Sequence, residues 1–249
     1  MENAFGSKET CRLRMESQAP VSAGEDSALP AFRSDCSFCD ELLGEPEPLH
    51  CVRMPGTPRN RVLHQTRSWV VVPSIGPIVP GHILLVSTRH FESVLATSKE
   101  DIKDLMRLIS LCSDRLSKIY GATVALFEHG MAAGAHNLSG ACMDHAHLHL
   151  APCEASFSGY TLSNIERWIS AASILELHAA GIQRPYLLVG SASASQEVHL
   201  HECYDPIPSQ YLRKVFANCV GKPAHWDWRD YPNSVGFLQT IRDWRKYDD

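Results

Sequence analysis

The sequence predicts an α+β fold: an antiparallel sheet crossed by a helix, followed by a C-terminal α+β extension. Three observations carry this reading. Residues 144–150 read D-H-A-H-L-H-L, so His145, His147 and His149 alternate with Ala146, Leu148 and Leu150. Side chains alternate faces along a strand, so this is the pattern of a half-buried strand with a row of imidazoles on one side. Residues 82–88, H-I-L-L-V-S-T, are an apolar run of strand length. Between these two stretches, Ile102, Leu105, Ile109, Cys112, Leu116 and Ile119 recur at spacings of three and four, the stripe of an amphipathic helix.

The other elements follow in order. Residues 1–33 lack periodicity and are rich in Ser, Ala, Glu and Gly, which predicts a disordered leader. Cys36-Ser37-Phe38-Cys39 places two thiols at the spacing of a chelating turn, a redox pair or a chance pair. Strands are expected at 62–66 and 68–72, and a Pro/Gly-rich connector at 73–81 leads into the apolar strand. Thr97 with Glu100 predicts a capping box for the long helix, and Gly121 predicts its end. A strand follows at 123–128, then a Gly/Ala-rich loop over 130–141 that enters the histidine strand. Beyond Pro152, Ser163 with Glu166 suggests a helix running to about His178 and stopping near Gly181. Segments 186–189 and 197–203 read as a strand pair, the second carrying His199 and His201 on an outer face. A short helix over 208–220 would bury Leu212, Val215, Phe216 and Cys219 and carry Gln210, Arg213 and Lys214. The aromatic tail H-W-D-W-R-D-Y-P leads to a last helix ending near Trp244, with its tryptophans packed on the main body.

Composition narrows the class. The chain has 249 residues, 44% of them hydrophobic, which supports a substantial core. A net charge of −5 gives no reason to expect nucleic-acid binding through bulk charge. No run is long enough for a membrane span, and no apolar h-region of a signal peptide follows the N-terminal basic residues. Nine scattered cysteines set no tight disulfide framework, so a reducing, cytoplasmic setting is expected.

By itself a row of three imidazoles suits a solvated face, a three-histidine metal site or nucleophilic attack on phosphorus. The residues resemble a known family that divides these roles. D-H-A-H-L-H-L-A-P is similar to the signature of the histidine triad (HIT) superfamily. P-G-H-I-L-L-V-S-T-R-H over residues 80–90 resembles its second landmark, and Cys36-x-x-Cys39 resembles the zinc knuckle of its zinc-carrying branches. The resemblance covers about residues 35–152. It implies a HIT-like catalytic domain over 34–152 and leaves 153–249 as the extension.

The resemblance further implies one structural zinc on Cys36, Cys39, His90 and His145. It makes His147 the nucleophile that forms a nucleotidyl-histidine, and it gives His149 and His82 the phosphate oxygens or the leaving group. Gly140 and Cys142 fall in the phosphate-cradling turn, and Ser74 falls where one branch has a ribose-binding Asp. Ala141-Cys142 replaces the Gln-Ser of hydrolase branches, which weakens side-chain donation there. Phe127-Glu128 is similar to the galactose-phosphate uridylyltransferase branch, whereas His149 is the hydrolase choice. The expectation is a hydrolase that cleaves a nucleotide phosphoanhydride or related bond. The alternatives are transfer of the nucleotidyl group to phosphate or a sugar phosphate, a non-catalytic zinc-stabilised binding module, and a metallohydrolase. The expected partner is a nucleotide or nucleotide conjugate, with homodimerisation as in many HIT hydrolases. Arg213, on the extension, is a candidate for binding the leaving group or acceptor, against a solvated basic face.

Overall fold

A computed structural model describes residues 32–45, 47–132, 138–163, 165–192 and 197–247. The expected leader lies outside the described residues except at its last two positions, and so does the middle of the 130–141 loop. The chain begins with two short helices, α1 (Ser37–Leu42) and α2 (Leu49–Arg53), and then β1 (His64–Gln65), β2 (Trp69–Pro73) and β3 (Ile83–Ser87). The long helix α3 (Lys99–Tyr120) leads to β4 (Thr123–Gly130) and the histidine strand β5 (His147–Cys153). Then come α4 (Phe157–Leu162), β6 (Ile169–Ala171), α5 (Ile174–Ala179), β7 (Tyr186–Ser191), β8 (Val198–Glu202), α6 (Tyr211–Cys219) and α7 (Ser234–Lys246).

The eight strands of the described residues form one sheet, in the order β1-β2-β3-β5-β4-β7-β8-β6, and each pairs antiparallel with its neighbours. The extension therefore adds strands directly to the histidine sheet, because β7 pairs along the free edge of β4. Strand periodicity sorts the two faces. Trp69, Val71, Ile83, Leu85, Val124, Leu126, Leu148 and Leu150 point to the face covered by α3, where Ile102, Leu105, Ile109, Cys112 and Leu116 fill the space. Ala125, Phe127, Ala151 and Cys153 point the other way, toward Leu212 and Phe216 of α6. His147 and His149 share that second face by the same alternation.

Two expected helix signals are corrected. The capping box of α3 is one residue later than Thr97 with Glu100. Ser98 accepts from the Asp101 N–H and Asp101 accepts from the Ser98 N–H. Thr97 is taken up by the preceding turn, donating its hydroxyl to the Val94 carbonyl at 2.8 Å. Gly121 does close the helix, in the left-handed conformation. Residues 163–178 are not one helix. Ile169–Ala171 pairs with β8 at the sheet edge, and α4 and α5 are capped separately by Ser156 and Ser173. Strand pairing at an open edge outweighs local propensity in so short a stretch.

The tail returns across the sheet ends. Gly76 donates its N–H to Pro232 O at 2.9 Å and Asn233 donates to Pro77 O at 2.6 Å, pinning residues 226–233 beside the β2–β3 connector. α7 then packs by α3, where the Arg115 guanidinium lies over the Trp244 ring at 4.3 Å and bonds the Trp244 carbonyl. No helix among the described residues is long and apolar enough to cross a membrane.

One buried charge site ties the turn before α3 to the extension. Glu128 accepts from the Val94 N–H at 2.7 Å and from the Tyr186 hydroxyl at 2.7 Å. Burial pushes its carboxyl up to about 7, against the two hydrogen bonds. The folded state thus holds a proton that the unfolded chain releases near the ordinary glutamate value. Stability supplied by this group is complete below about pH 4 and falls as pH rises through about 7. Denaturant titrations from pH 5 to 8 should show Glu128→Gln flattening this decline relative to wild type, a difference of up to about 3 kcal/mol. Parallel stability profiles for the two proteins would show that Glu128 does not titrate in the fold.

Candidate active site and metal centre

The residues before β5 turn the histidine row into two sites. His145 precedes the strand proper, but its neighbour Ala146 is already held between Phe91 and Ser87 by backbone bonds. Its ring lies with Cys36, Cys39 and His90, and the four ligand atoms fall within 4.8 Å of one another. Cys36 Sγ is 3.3 Å from His145 Nδ1, and Cys39 Sγ is 3.4 Å from His90 Nδ1 and 3.6 Å from His145 Nδ1. A tetrahedral ion with metal–sulfur bonds of about 2.3 Å and metal–nitrogen bonds of about 2.0 Å would place sulfur and nitrogen about 3.5 Å apart. The side chains fit such an ion, and the tautomer does too. His145 Nε2 donates to Ser87 O at 2.8 Å, which leaves Nδ1 unprotonated toward the thiols. All four side chains are buried, and no further donor of the cluster is left over for an open coordination position.

The second site begins one strand repeat later. His147 Nδ1 donates to the carbonyl of His145 at 2.7 Å, because a carbonyl can only accept. Nε2 of His147 therefore carries the free lone pair. His149 is fixed by a relay. The Ile78 N–H points at His82 Nδ1 at 3.4 Å, so His82 carries its proton on Nε2 and donates to His149 Nδ1 at 2.9 Å. That leaves His149 with an N–H at Nε2. Phe127 stacks on His149 with centroids 4.5 Å apart and planes at 8°, as expected for directly paired residues of β4 and β5. Burial and nearby positive charge hold His82 and His149 well below the usual imidazole range, and burial holds His147 below it despite its bond to His145. The imidazoles are neutral.

His147 and His149 form one wall of a cleft. Of the other expected site residues, Ser74, Gly140, Cys142 and Arg213 line it, whereas His82 sits behind His149 and does not. Gly140 is left-handed at φ +71 and accepts from the Gln210 N–H through its carbonyl. Arg213 does not lie on a solvated basic face, as the spacing of the helix allowed. It is buried and points back over the cleft. It donates to Ser74 Oγ at 3.3 Å, Gly76 O at 2.6 Å and Trp226 O at 2.9 Å. All three partners are neutral, no carboxylate pairs with it among the described residues, and burial lowers its pKa to about 10. Asp227 offsets part of the cost of burying this charge without bonding it, and an anion in the cleft would offset more. His199 and His201 lie elsewhere, bonded to Ser170 and Arg167 on the far strands.

The resemblance leaves the family's Asn before the loop at Glu128 or His129, and of the two it is His129, two residues beyond Phe127 in β4, that lines the cleft. Sequence reasoning missed two further cleft residues. Trp228 lines the cleft and donates its Nε1–H to Cys142 Sγ at 3.5 Å, so one tail tryptophan serves the site and not only the core. Glu41 also lines the cleft, gripped in a two-pronged bond by the buried Arg61.

Residues 57–155 match the family model described as the HIT domain. This stretch, which is similar to the HIT domain, holds His82, His90 and the whole histidine row. The match ends at residue 155, so the extension lies outside it. No curated protein matches the chain. Among solved structures, it is similar to a HIT family protein from Bacillus subtilis (16% identity, 49% of this chain and 75% of that one, TM-score 0.38). It is also similar to a Hit-like protein involved in cell-cycle regulation from Bartonella henselae (18%, 49% and 81%, TM-score 0.37). A histidine triad protein from Clostridium difficile is a third (19%, 50% and 95%, TM-score 0.34). These likenesses are weak and add nothing to the domain match.

The cradle loop is held against the extension with no room to spare. A Cβ on Gly140 would stand 2.3 Å from Pro208 O and 2.9 Å from Ile207 O, on a backbone conformation that L-residues avoid. Gly140→Ala should cost about 2 kcal/mol or more in denaturant unfolding. A variant as stable as wild type would show that this contact is not maintained in solution.

Proposed function

We propose that the protein is a HIT-type nucleotide hydrolase that works through a nucleotidyl-His147 intermediate, with zinc as a structural ion on Cys36, Cys39, His90 and His145. The observation that carries this reading is the bond from His147 Nδ1 to His145 O, which fixes the unprotonated Nε2 as the attacking atom. In the first step, the Nε2 lone pair forms a bond to the α-phosphorus while the bridging P–O bond breaks and its electrons leave with the oxygen. In the second step, water attacks phosphorus, loses a proton to solvent, and the P–N bond returns its electrons to His147. The Nε2–H of His149 donates to a phosphate or leaving-group oxygen, and His82 acts through His149 as a positioning residue. Arg213 supplies a positive charge over the cleft that no carboxylate bonds among the described residues, whereas Arg61 is paired with Glu41, and the Gly140–Cys142 turn and Ser74 complete the binding wall.

Sulfur and nitrogen donors in a closed tetrahedral set are those zinc prefers, and a site with no open position serves folding and not chemistry. This favours the nucleophilic reading over a metallohydrolase, because His145 cannot serve both. A second reading keeps the same intermediate but passes the nucleotidyl group to phosphate or a sugar phosphate. It is favoured by Arg213, whose charge suits an anionic acceptor as well as an anionic leaving group. Either way the substrate is a nucleotide or nucleotide conjugate.

The mutants separate these roles. His147→Ala should keep one zinc per chain and remain folded, yet show no covalent nucleotide adduct on rapid-quench mass spectrometry across a panel of dinucleotides and nucleotide sugars. Turnover should fall by at least about a thousandfold. Cys39→Ser should instead lose zinc and solubility. Zinc loss on His147→Ala, or substantial turnover without His147, would overturn the assignment.

A further inference from the structure

Among the described residues, Glu41 is the one carboxylate that lines the cleft. It lies three residues beyond Phe38 on α1, so the carboxylate and the ring share a helix face. Arg61 grips it side on, with Nε donating to Oε1 at 2.7 Å and Nη2 to Oε2 at 2.6 Å. Arg61 is itself buried and donates from Nη1 to Pro73 O at 2.7 Å, so the carboxylate is clamped to the end of β2. Paired with a guanidinium, it is an ionised acceptor with no proton to give.

The clamp leaves acceptor capacity. A carboxylate has two lone-pair positions on each oxygen, and the side-on guanidinium fills one of each. Beside Oε1 stands His50 Nδ1, at 3.5 Å. That ring donates from Nε2 to Pro58 O at 2.9 Å, and burial keeps it below the usual imidazole range, so Nδ1 has no proton for Glu41. No other donor among the described residues bonds the carboxylate, and the second position on Oε2 is open. The surroundings are apolar: Phe38, Leu49, Ile75 and Leu84 line the same cleft. An ionised acceptor set among apolar walls suits a group with apolar faces and a polar edge, as a nucleobase has, better than it suits ribose hydroxyls. Phe38 also stands beside His147, with ring centroids 5.5 Å apart, so this wall continues from the proposed attacking residue. The negative charge repels phosphate, which orients a nucleotide with its phosphate toward Arg213 and its base toward Glu41.

We propose that Glu41 selects the substrate's base by accepting a hydrogen bond from an exocyclic amino group, so that the cleft discriminates against bases with a carbonyl in that place. The proposal rests on the HIT-type reading of the site and adds to it a choice among nucleotides. An amino group gives one N–H to Oε2. In hypoxanthine or uracil the same edge position carries a carbonyl oxygen, which meets the carboxylate lone pair to lone pair. The acceptor cannot turn away from that clash, because Arg61 holds both oxygens and Pro73 O holds Arg61. Adenine and cytosine therefore fit, and hypoxanthine and uracil do not.

The test uses the full-length zinc-loaded protein and matched 5′-monophosphates: adenosine against inosine, and cytidine against uridine. Calorimetry should show the amino member of each pair binding wild type about tenfold more tightly. Glu41→Gln replaces the carboxylate with an amide that can accept from an amino group or donate to a carbonyl. The preference should then shrink to within about twofold in both pairs, with one zinc per chain retained. 2′-Deoxyadenosine monophosphate should bind wild type as its ribose parent does. If wild type binds the members of each pair equally, the proposal is wrong, whatever the variant's stability. A preference that survives Glu41→Gln overturns it, and so does a loss of affinity on removing the 2′-hydroxyl that disappears in the variant, since Glu41 then reads ribose. If the pairs differ as expected but no nucleotide forms an adduct on His147, the hydrolase reading fails and the base selection stands. Adducts that form without base preference do the reverse.

Discussion

The bond from His147 Nδ1 to the carbonyl of His145 is the contact on which the rest of the site depends. It joins two neighbours on one strand face that have different tasks. His145 gives its ring to the Cys36–Cys39–His90 cluster and its carbonyl to His147. Anything that moves the cluster therefore moves the carbonyl that sets the tautomer of His147. A metal site that contains no cleft residue still determines which nitrogen faces the cleft. In this arrangement the ion would act on chemistry only through geometry, as a clamp on the start of β5, and α1 carries both thiols to that clamp from more than a hundred residues away in sequence.

The same economy appears in the other histidines. Each ring that faces the cleft has one nitrogen bound to a partner that leaves no choice of tautomer: a carbonyl for His147, a histidine with a fixed proton for His149, a backbone N–H for His129. None of these rings needs a charge to hold its place. Their neutrality is imposed by burial and by Arg213, whose guanidinium bonds only neutral groups. A site built this way offers one lone pair, two oriented N–H donors and, in Arg213, a positive charge that no carboxylate bonds among the described residues. Oriented donors in a dry cleft need no rearrangement when charge develops on a substrate oxygen.

Much of this was legible in the sequence because period-two patterns survive folding. Once D-H-A-H-L-H-L is a strand, one face is imidazole and the other is core, and the fold keeps Leu148 and Leu150 under α3. The metal set was legible only through resemblance, since nothing in the spacing of Cys36, Cys39, His90 and His145 brings them together. The start of α3 was readable to within a residue: Thr97-x-x-Glu100 and Ser98-x-x-Asp101 are overlapping capping signals, and the choice between them is made by the turn that consumes the Thr97 hydroxyl. The stretch 163–178 was misread because its fate depends on β8, which lies beyond it in the chain and supplies the hydrogen bonds that make Ile169–Ala171 a strand. Trp228 was unreadable for a related reason. Its position follows from two backbone anchors, at Gly76 and Pro77, that hold the tail beside the cleft.

The extension is therefore best understood by what the sheet leaves open. In the order of strands, β4 would be an edge next to the histidine strand, with unpaired backbone groups beside the cleft. β7 closes that edge, and the chain then returns over the histidine face as α6. Closure alone would have been met by a short strand. The return over the face is what brings Arg213 and the Leu212 N–H to the cleft and places Gln210 against Gly140. Because Gly140 stands where no Cβ fits beside Pro208, the cradle loop and the α6 turn must be assembled as one surface. The cleft is accordingly lined from both sides of residue 155: His147, His149 and Gly140 lie within the domain match, and Gln210, Arg213 and Trp228 reach it from beyond the match.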